Sequence, residues 1–371
     1  MRMHMRSRPP RYSGGFTLVE LMVAITLSLF LMIGLISLIV STVTSRSELD
    51  KSSRQIENGR YAIELLTDDL QLAGFNGMTS TSFTAVLPVA CPATLADLGY
   101  SAVAAPGTST IPIPLYDPTT APGYSAATPP SCTSNVKAGT AMLVVTRTST
   151  TPVTPPSSAV AAETYLQVSA CGTDTLPFVI GSGAPAANFN LMSCLSSVTP
   201  AAVPLRKVVQ HLYFVSTCNV CTGAGADNTP TLKMAEYMNG AMTTATTPTA
   251  LVEGIENLQF DYGIDMDGNG SPDCYVSNPT TQPAIDAVRD AACPQPATPY
   301  DWTAATANWS NVMSVRVHVL ARSTESSGGW KDTRTYDMGQ AFPTVGPFND
   351  QFKRHVYSAV ARLYNASGQR E

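Results

Sequence analysis

Residues 15–43 read GFTLVELMVAITLSLFLMIGLISLIVSTV, and this stretch decides how the rest of the chain is organised. It is apolar apart from small hydroxyl side chains and one ionisable residue, Glu20. Residues 21–43 carry no charge, and as a helix they would be about 35 Å long at a rise of about 1.5 Å per residue. Because the hydrocarbon core of a bilayer is roughly 30 Å thick, the sequence predicts a single transmembrane helix at residues 16–43.

Residues 1–15, MRMHMRSRPPRYSGG, form a short basic leader before the apolar segment. The leader has four arginines and no acidic residue, and its proline and glycine residues disfavour a helix. By the positive-inside rule, this basic end stays in the cytoplasm and the remaining chain lies across the membrane. A plain secretory signal fits less well, because its apolar region is shorter and residues 41–47, STVTSRS, lack an A-x-A-like cleavage site.

Glu20 is unusual because a carboxylate inside an apolar segment is costly in lipid unless it has a partner or a function. One explanation is that its side chain reaches the cytoplasmic interface, only one turn away. The surrounding sequence, GFTLVE at residues 15–20, resembles the type III signal of type IV prepilins and type II secretion pseudopilins. The resemblance implies cleavage after Gly15 by a prepilin peptidase, methylation of the new N-terminal residue Phe16, and a role for Glu20 in subunit assembly.

Simple electrostatics favours this role for Glu20. The ammonium of Phe16 and the carboxylate of Glu20 would each lose hydration in an apolar medium, and pairing between neighbouring subunits would relieve that penalty. The same pairing would fix the axial register of subunits in a helical assembly.

The helix continues beyond the membrane segment with apolar residues on one side only. The pattern predicts one helix from about residue 16 to about residue 73, ending at the glycines of AGFNG, residues 73–77. We expect the apolar face to pack on the protein's own head domain. This face consists of Leu49, Ile56, Ile63 and Leu70, which recur every seven residues, with Leu66 and Ala73 beside them.

Two further segments, residues 59–77 and residues 251–270, resemble the PilW family of minor pilins. The resemblance implies a subunit that helps to prime the growth of a type IV pilus and lies near its tip. It also implies the partners: other minor pilins, the major pilin, the prepilin peptidase and the inner-membrane assembly platform. The subunit would begin in the inner membrane, with its head in the periplasm, and end in a pilus on the cell surface.

The remaining sequence predicts a β-rich head, so the expected fold class is α+β, with a long N-terminal helix packed on an antiparallel sheet. Alternation of apolar and polar residues predicts half-buried strands, and Ser/Thr/Pro-rich segments predict loops around short strands. The predicted strands are residues 208–215, 232–238, 258–264, 313–319 and, more weakly, 356–364. The predicted divisions are a leader at 1–15, a transmembrane half-helix at 16–43, an amphipathic half-helix at 44–76 and a head at 77–371.

Eight cysteines follow the apolar segment, where an oxidising periplasm would permit disulfides. Their even number predicts four bridges, although eight cysteines allow 105 pairings. Pairing of neighbours is the simplest arrangement and gives the bridges 171–194, 218–221 and 274–293. The CNVC sequence at 218–221 could instead be a redox or zinc pair, but a lone CxxC favours a short structural loop. The cysteines are Cys91, Cys132, Cys171, Cys194, Cys218, Cys221, Cys274 and Cys293.

The segment DMDGNGSPD at residues 265–273 resembles the opening of an EF-hand loop. Its oxygen-bearing side chains would come from Asp265, Asp267, Asn269 and Asp273, and calcium is the possible ligand. The loop lacks the glutamate expected at its twelfth position, and Pro272 precludes a following helix. A polar turn that joins two strands is therefore the competing interpretation.

The composition favours a folded chain that does not bind nucleic acid. The chain has 371 residues, of which 13% are charged and 44% hydrophobic, and its formal charge is −5. An acidic balance of this kind argues against binding to a phosphate backbone. The length allows about two domains of roughly 150 residues each.

The sequence gives little sign of catalysis, and we predict that the protein is not an enzyme. His211, His318 and His355 lie in strand-like runs, where an ordinary position on a sheet face is expected rather than a general base. No GxSxG, HExxH or phosphate-binding loop is present. Two other functions remain open: a minor pseudopilin of a type II secretion system, and a pilus-tip adhesin whose Ser/Thr-rich head binds a surface ligand.

Overall fold

The computed structural model describes residues 15–77, 83–104, 107–120, 128–194, 202–242, 248–282, 300–368 and 370. The chain divides into two compact units, Met1–Lys51 and Ser52–Glu371. A single long helix, α1 (Leu18–Leu72), contributes residues to both units. The predicted long N-terminal helix is thus confirmed, and it ends within a residue of the expected position.

The first part of α1 is apolar on all sides. From Leu18 to Val43 its large apolar side chains are between 51% and 76% exposed, with the extremes at Val23 and Leu31. Among the described residues, α1 is the helix that is long and apolar enough to cross a membrane. A helix that is hydrophobic on every side is buried in lipid or in protein when it functions.

The second unit contains fourteen described strands and two further short α-helices. The helices are α2 (Ala305–Ser310) and α3 (Tyr364–Ser367). The strands are β1 (Thr84–Val86), β2 (Thr110–Pro112), β3 (Leu115–Tyr116), β4 (Leu143–Thr148), β5 (Thr164–Val168), β6 (Phe178–Ser182), β7 (Arg206–Ser216), β8 (Thr231–Met238), β9 (Ala241–Met242), β10 (Thr249–Glu253), β11 (Ile255–Ile264), β12 (Cys274–Val276), β13 (Val312–Arg322) and β14 (Arg354–Arg362).

These strands form two main antiparallel sheets. The larger sheet has the order β10-β8-β7-β4-β3, with β5, β6 and β9 attached to it, and the smaller has the order β12-β11-β13-β14. A separate parallel pair joins β1 to β2. The α+β class and all five predicted strands are confirmed. The other nine described strands were not predicted individually; in β5, for example, the Thr, Tyr and Gln residues give no clear alternation.

The second part of α1 shares one hydrophobic core with both sheets. Ala62, Leu66 and Leu70 of the helix are fully buried, together with Leu212 on β7 and Val317 on β13. The helix ends where Gly74 takes a positive φ of 74°, and the Gly74 amide then donates to the carbonyl of Thr146 on β4 at 2.9 Å. A left-handed residue directly after a helix is the usual way to end it, and glycine adopts that conformation without strain.

The predicted packing face of α1 is partly wrong. Ile56 is 50% exposed and Leu49 is 71% exposed, although both belong to the predicted seven-residue repeat. The buried positions follow spacings of three and four residues instead. They include polar and small side chains, so the pattern of apolar residues alone does not predict which positions are buried. The buried residues of α1 are Gln55, Gly59, Ala62, Leu66, Asp69 and Leu70.

The expectation of a half-buried sheet is also wrong for β11 and β13. The polar side chains opposite the core face, such as Asp261 and His318, are 2% and 9% exposed. Later segments cover them: the Gln340 amide donates to Asp261 Oδ1 at 3.0 Å, and the Tyr275 hydroxyl lies 2.9 Å from the Ser314 hydroxyl. Both faces of β11 and β13 are therefore covered, because other segments of the chain pack over their polar face.

Candidate functional site

The N-terminal motif forms a reciprocal cap at the start of α1. The Thr17 amide and hydroxyl both donate to Glu20 Oε2 at 3.0 Å, and the Glu20 amide lies 3.2 Å from the Thr17 hydroxyl oxygen that accepts its hydrogen bond. This arrangement is a capping box, in which Thr and Glu three residues apart satisfy free N–H groups at a helix start. The T-x-x-E pattern at residues 17–20 is the local signal for this cap, which was not among the predicted features.

The capping box gives the Glu20 carboxylate a local partner in the intact chain. Gly15 and Phe16 lie immediately before it and are exposed, Phe16 by 88%. Residues 1–14 of the predicted leader lie outside the described residues. The cleavage after Gly15, the methylation of Phe16 and the assembly role of Glu20 stay predictions.

A buried ionic cluster ties the second part of α1 to the larger sheet. Asp69 on α1 is 7% exposed and accepts a hydrogen bond from Arg147 Nε on β4 at 2.7 Å. Its other carboxylate oxygen lies 2.7 Å from His211 Nδ1 and accepts from the Tyr213 hydroxyl at 2.8 Å, both on β7. One helix carboxylate therefore holds two neighbouring strands.

The environment of this cluster keeps both Asp69 and His211 charged. Burial opposes ionisation of Asp69, but the hydrogen bond and charge of His211, with those of Arg147, lower the pKa of the carboxyl to about 2. Burial likewise opposes protonation of His211, but the hydrogen bonds to Asp69 and Glu236 raise the pKa of the imidazole to about 9. His211 lies in a strand as predicted, but its partner on the helix was not predicted.

Close packing and hydrogen bonds join α1 to the smaller sheet as well. Gln55 Nε2 donates to the carbonyl of Ala321 on β13 at 2.9 Å. A Cβ atom at Gly59 would overlap the ring of Tyr357 on β14, so the absence of a side chain there lets the helix and the strand approach. Gly59 and Asp69 both lie in the 59–77 segment on which part of the family resemblance rests, and the structure gives each a packing role.

A second buried ionic cluster stabilises the smaller sheet. Arg354 on β14 is 2% exposed and forms ion pairs with Glu256 on β11, with Asp332 at 3.0 Å and with Asp350 at 2.6 Å. Burial opposes the charge of Arg354, but hydrogen bonds to Asp350 and Glu256 raise its pKa above the usual range. The Tyr336 hydroxyl donates to Asp332 at 2.9 Å and completes the cluster. Glu256 is 98 residues from Arg354 in the sequence, so no local pattern indicated this pair.

The other two described histidines, His318 and His355, lie in strands, as the sequence suggested. His318 on β13 lies opposite Ser358 on β14, with 2.8 Å between Nδ1 and the hydroxyl, while Nε2 lies 3.3 Å from Asp261 Oδ2. Strand pairing by itself brings the serine and the histidine together. His355 on β14 packs against the Tyr357 ring at 4.7 Å between centroids.

Disulfides join cysteines that are neighbours in the sequence. Three bridges are present among the described residues, namely Cys91–Cys132, Cys171–Cys194 and Cys218–Cys221. Cys274 is disulfide-bonded as well, whereas Cys293, its expected partner, lies outside the described residues. The bridges all lie in the second unit, where loops between short strands are long.

The DMDGNGSPD segment follows β11 directly and folds into a tight loop. One carboxylate oxygen from each of Asp265, Asp267 and Asp273 lies within 4.8 Å of the others. These oxygens already have partners: Asp265 accepts from the amides of Gly268 and Gly270 and from Arg370 Nη1 at 3.0 Å.

The remaining polar side chains of this loop are also engaged. The Asn269 carbonyl oxygen accepts from the Ser271 amide at 2.8 Å, and Asp273 accepts from the Met266 amide at 2.7 Å. The Arg370 guanidinium already supplies Asp265 with the positive charge that a calcium ion would bring to this loop. Calcium stays a prediction, and it is checked by whether millimolar Ca²⁺ raises the Tm of the wild type but not of Asp267→Asn.

Taken together, the fold defines a class of protein. An α+β chain whose long N-terminal helix is apolar on all sides at first, and then packs into antiparallel sheets, has a pilin-like architecture. Its first part fits a membrane anchor, and its second part belongs to the core of the head.

The comparisons with known families agree with this class. The family model of the type IV pilus-assembly protein W matches residues 212–365, and that of the prokaryotic N-terminal methylation motif matches residues 10–36. The predicted resemblance to PilW-family pilins is thereby confirmed, and the two matches support a minor pilin of the type IV pilus. The first match is to a pilus-assembly family and not to an enzyme family, and it implies interaction with other pilus components. No curated protein and no solved structure matches the chain.

Proposed function

We propose that this chain is a minor pilin made as a precursor, cut between Gly15 and Phe16, methylated at Phe16 and then built into a type IV pilus. In this proposal it helps to prime filament growth together with other minor pilins, and it lies near the pilus tip. The work is structural assembly, and no reaction is assigned to the chain.

One observation carries the proposal: the first part of α1, which overlaps the methylation motif, exposes apolar side chains on every side. Between Leu18 and Val43 each large apolar side chain is at least half exposed. Such a surface is stable only in lipid or against other apolar helices. An inner-membrane stage followed by packing among pilin helices supplies both environments in turn.

The proposed partners follow from the same route. The prepilin peptidase would act on the leader, the assembly platform of the inner membrane would extract the subunit, and the major pilin and other minor pilins would cover its helix. The head would lie in the periplasm before assembly and on the cell surface afterwards. The acidic net charge of −5 gives no support for direct nucleic-acid binding.

The capping box permits a sharp test of the Glu20 role. Glu20→Gln keeps a side chain that can cap the Thr17 amide but removes the charge, whereas Thr17→Ala removes the threonine half of the cap and keeps the charge. We expect both variants to be processed and membrane-bound, with incorporation into pili reduced strongly in Glu20→Gln and only slightly in Thr17→Ala. Normal piliation in Glu20→Gln would remove the argument from charge pairing.

Mass spectrometry of the mature protein tests the processing step itself. The expected N-terminus is methylated Phe16. A protein that keeps its first fifteen residues in cells, or one that never enters a filament, contradicts the proposal. A deletion strain that keeps its pili but loses protein secretion would identify the type II pseudopilin alternative.

A further inference from the structure

The loop that follows β7 holds the Cys218–Cys221 disulfide beside the end of the larger sheet. Cys218 is 6% exposed, whereas Cys221 is partly exposed. The Ser216 hydroxyl lies 3.7 Å from the Cys218 sulfur and 3.6 Å from the Cys221 sulfur, and the Thr217 hydroxyl donates to Cys218 Sγ at 3.7 Å. Two hydroxyl donors therefore already face the sulfur atoms.

A buried lysine makes this disulfide unlike an ordinary loop bridge. Lys233 on β8 is 5% exposed, and its ammonium donates to Cys221 Sγ at 3.4 Å. A neutral disulfide sulfur is a weak acceptor, so it compensates poorly for the burial of a full positive charge. Burial lowers the pKa of Lys233, and the nearby charge of Asp227 opposes that shift.

Asp227 attracts the ammonium, but its carboxylate oxygens are used elsewhere. They accept from the backbone amides of Asn219 at 2.8 Å, Val220 at 2.9 Å and Thr229 at 2.9 Å. These hydrogen bonds hold the CNVC turn independently of the sulfur bond, so the turn is kept when the disulfide opens. The anion that Lys233 is placed to stabilise is then a thiolate at Cys221.

We propose that Cys218 and Cys221 form a reversible dithiol–disulfide site, in which the Lys233 ammonium stabilises the thiolate of Cys221. The partner is a dithiol reductant, either a small molecule or a protein with paired thiols. This inference goes beyond the pilus proposal and does not depend on it.

The reaction balances as an ordinary thiol–disulfide exchange. The thiolate of the reductant attacks the more accessible Cys221 sulfur, forms a mixed disulfide and releases Cys218 as a thiolate. The Cys218 thiolate accepts hydrogen bonds from the Thr217 and Ser216 hydroxyls before it takes up a proton. The second thiol of the reductant then closes its own disulfide and releases Cys221 as a thiolate beside Lys233. Two electrons pass to the pilin cysteines, and the reductant leaves oxidised.

The test uses the purified full chain in detergent, titrated with dithiothreitol and trapped by alkylation for peptide mass spectrometry. We expect the 218–221 bridge to open at a lower reductant concentration than the 91–132 and 171–194 bridges. Lys233→Met should then require about tenfold more reductant to open the same bridge, a shift of about 30 mV. The proposal is overturned if all three bridges open at the same reductant concentration in the wild type. It is also overturned if Lys233→Met opens the 218–221 bridge at the wild-type concentration.

A second measurement keeps the test decisive if Lys233→Met fails to fold. In the reduced wild type, the pH dependence of Cys221 alkylation by iodoacetamide should have its midpoint below the value of about 8.5 for a free thiol. Lys233→Arg keeps the charge and should keep the low midpoint. A wild-type midpoint at or above that of a free thiol contradicts the role of Lys233.

Discussion

The two parts of α1 belong to one continuous helix but follow opposite rules. The part from Leu18 to Val43 exposes apolar side chains on all sides, whereas the part from Gln55 to Leu70 buries one stripe that includes an amide, a glycine and a carboxylate. Hydrophobic residues are thus exposed where the helix is most apolar, and polar residues are buried where it is amphipathic. The difference indicates that the first part is covered by something outside this chain, whereas the second part packs on the chain's own sheets.

The largest expected effect comes from Asp69, the carboxylate in the buried stripe. Asp69→Ala leaves Arg147, His211 and Tyr213 without their shared partner, and removing one member of a buried ion pair costs about 3–5 kcal/mol. Urea unfolding of the full chain in detergent, followed by tryptophan fluorescence, measures the loss. The matched control is Asp68→Ala, an exposed neighbour, which should change the free energy of unfolding by about 0.5 kcal/mol at most.

The second effect compares two leucines of the same helix. Leu66 is fully buried and Leu31 is 76% exposed. Leu66→Ala should destabilise the head by about 2–5 kcal/mol through lost burial and a new cavity. Leu31→Ala should leave the same unfolding transition in place. If both substitutions lowered head stability equally, the contrast between the two parts of the helix would be wrong.

A smaller effect is expected at Gly59, where the helix approaches β14. In Gly59→Ala the new methyl group meets the Tyr357 ring, which must rotate away or push the helix outward. Overpacking of this kind costs about 1–3 kcal/mol. Gly59→Ala should cost less stability in a Tyr357→Ala background than in the wild type, because the ring that the new methyl group meets is gone. A double-mutant cycle in urea measures this difference.

The last effect is the most gradual: a pH dependence of the Asp69 and His211 pair. The pKa of His211 is raised to about 9, so its stabilising charge is fully present below about pH 6.5 and is lost as the pH rises through 9. Stability should fall by about 1 kcal/mol per pH unit across that window.

The acidic side of the profile has the opposite sign. The pKa of Asp69 is lowered to about 2, so its contribution is present above about pH 3.9 and is lost as the pH falls toward 2. Both slopes should be weaker in Asp69→Ala. An unfolding profile of the wild type that is flat from pH 6.5 to 9 would contradict the assignment of a charged His211.

Much of the fold could be predicted because the informative patterns were local. The apolar run of residues 21–43, the glycine after the helix at Gly74 and the alternation in β11 and β13 each lie within one element, where period and composition indicate the structure. The capping box of Thr17 and Glu20 was equally local, and recognising T-x-x-E would have found it. The motif at residues 15–20 indicated a class of protein because its short sequence is specific.

The packing stripe and the ionic clusters could not be predicted in this way. Whether Asp69 is buried depends on Arg147 and His211, which are 78 and 142 residues away in the sequence. Lys233 lies in the predicted strand 232–238, and no pattern within that strand indicates its contact with Cys221.

The sequence by itself determined the long helix, its uncovered apolar part, five strands of the head and the supply of cysteines, because each depends on residues within a few positions of one another. Only the tertiary structure decided which face of the helix is buried, which carboxylates are paired and what surrounds each sulfur atom. Those features depend on contacts between residues far apart in the chain, and the burial that makes them energetically important exists only once the sheets and the helix have come together.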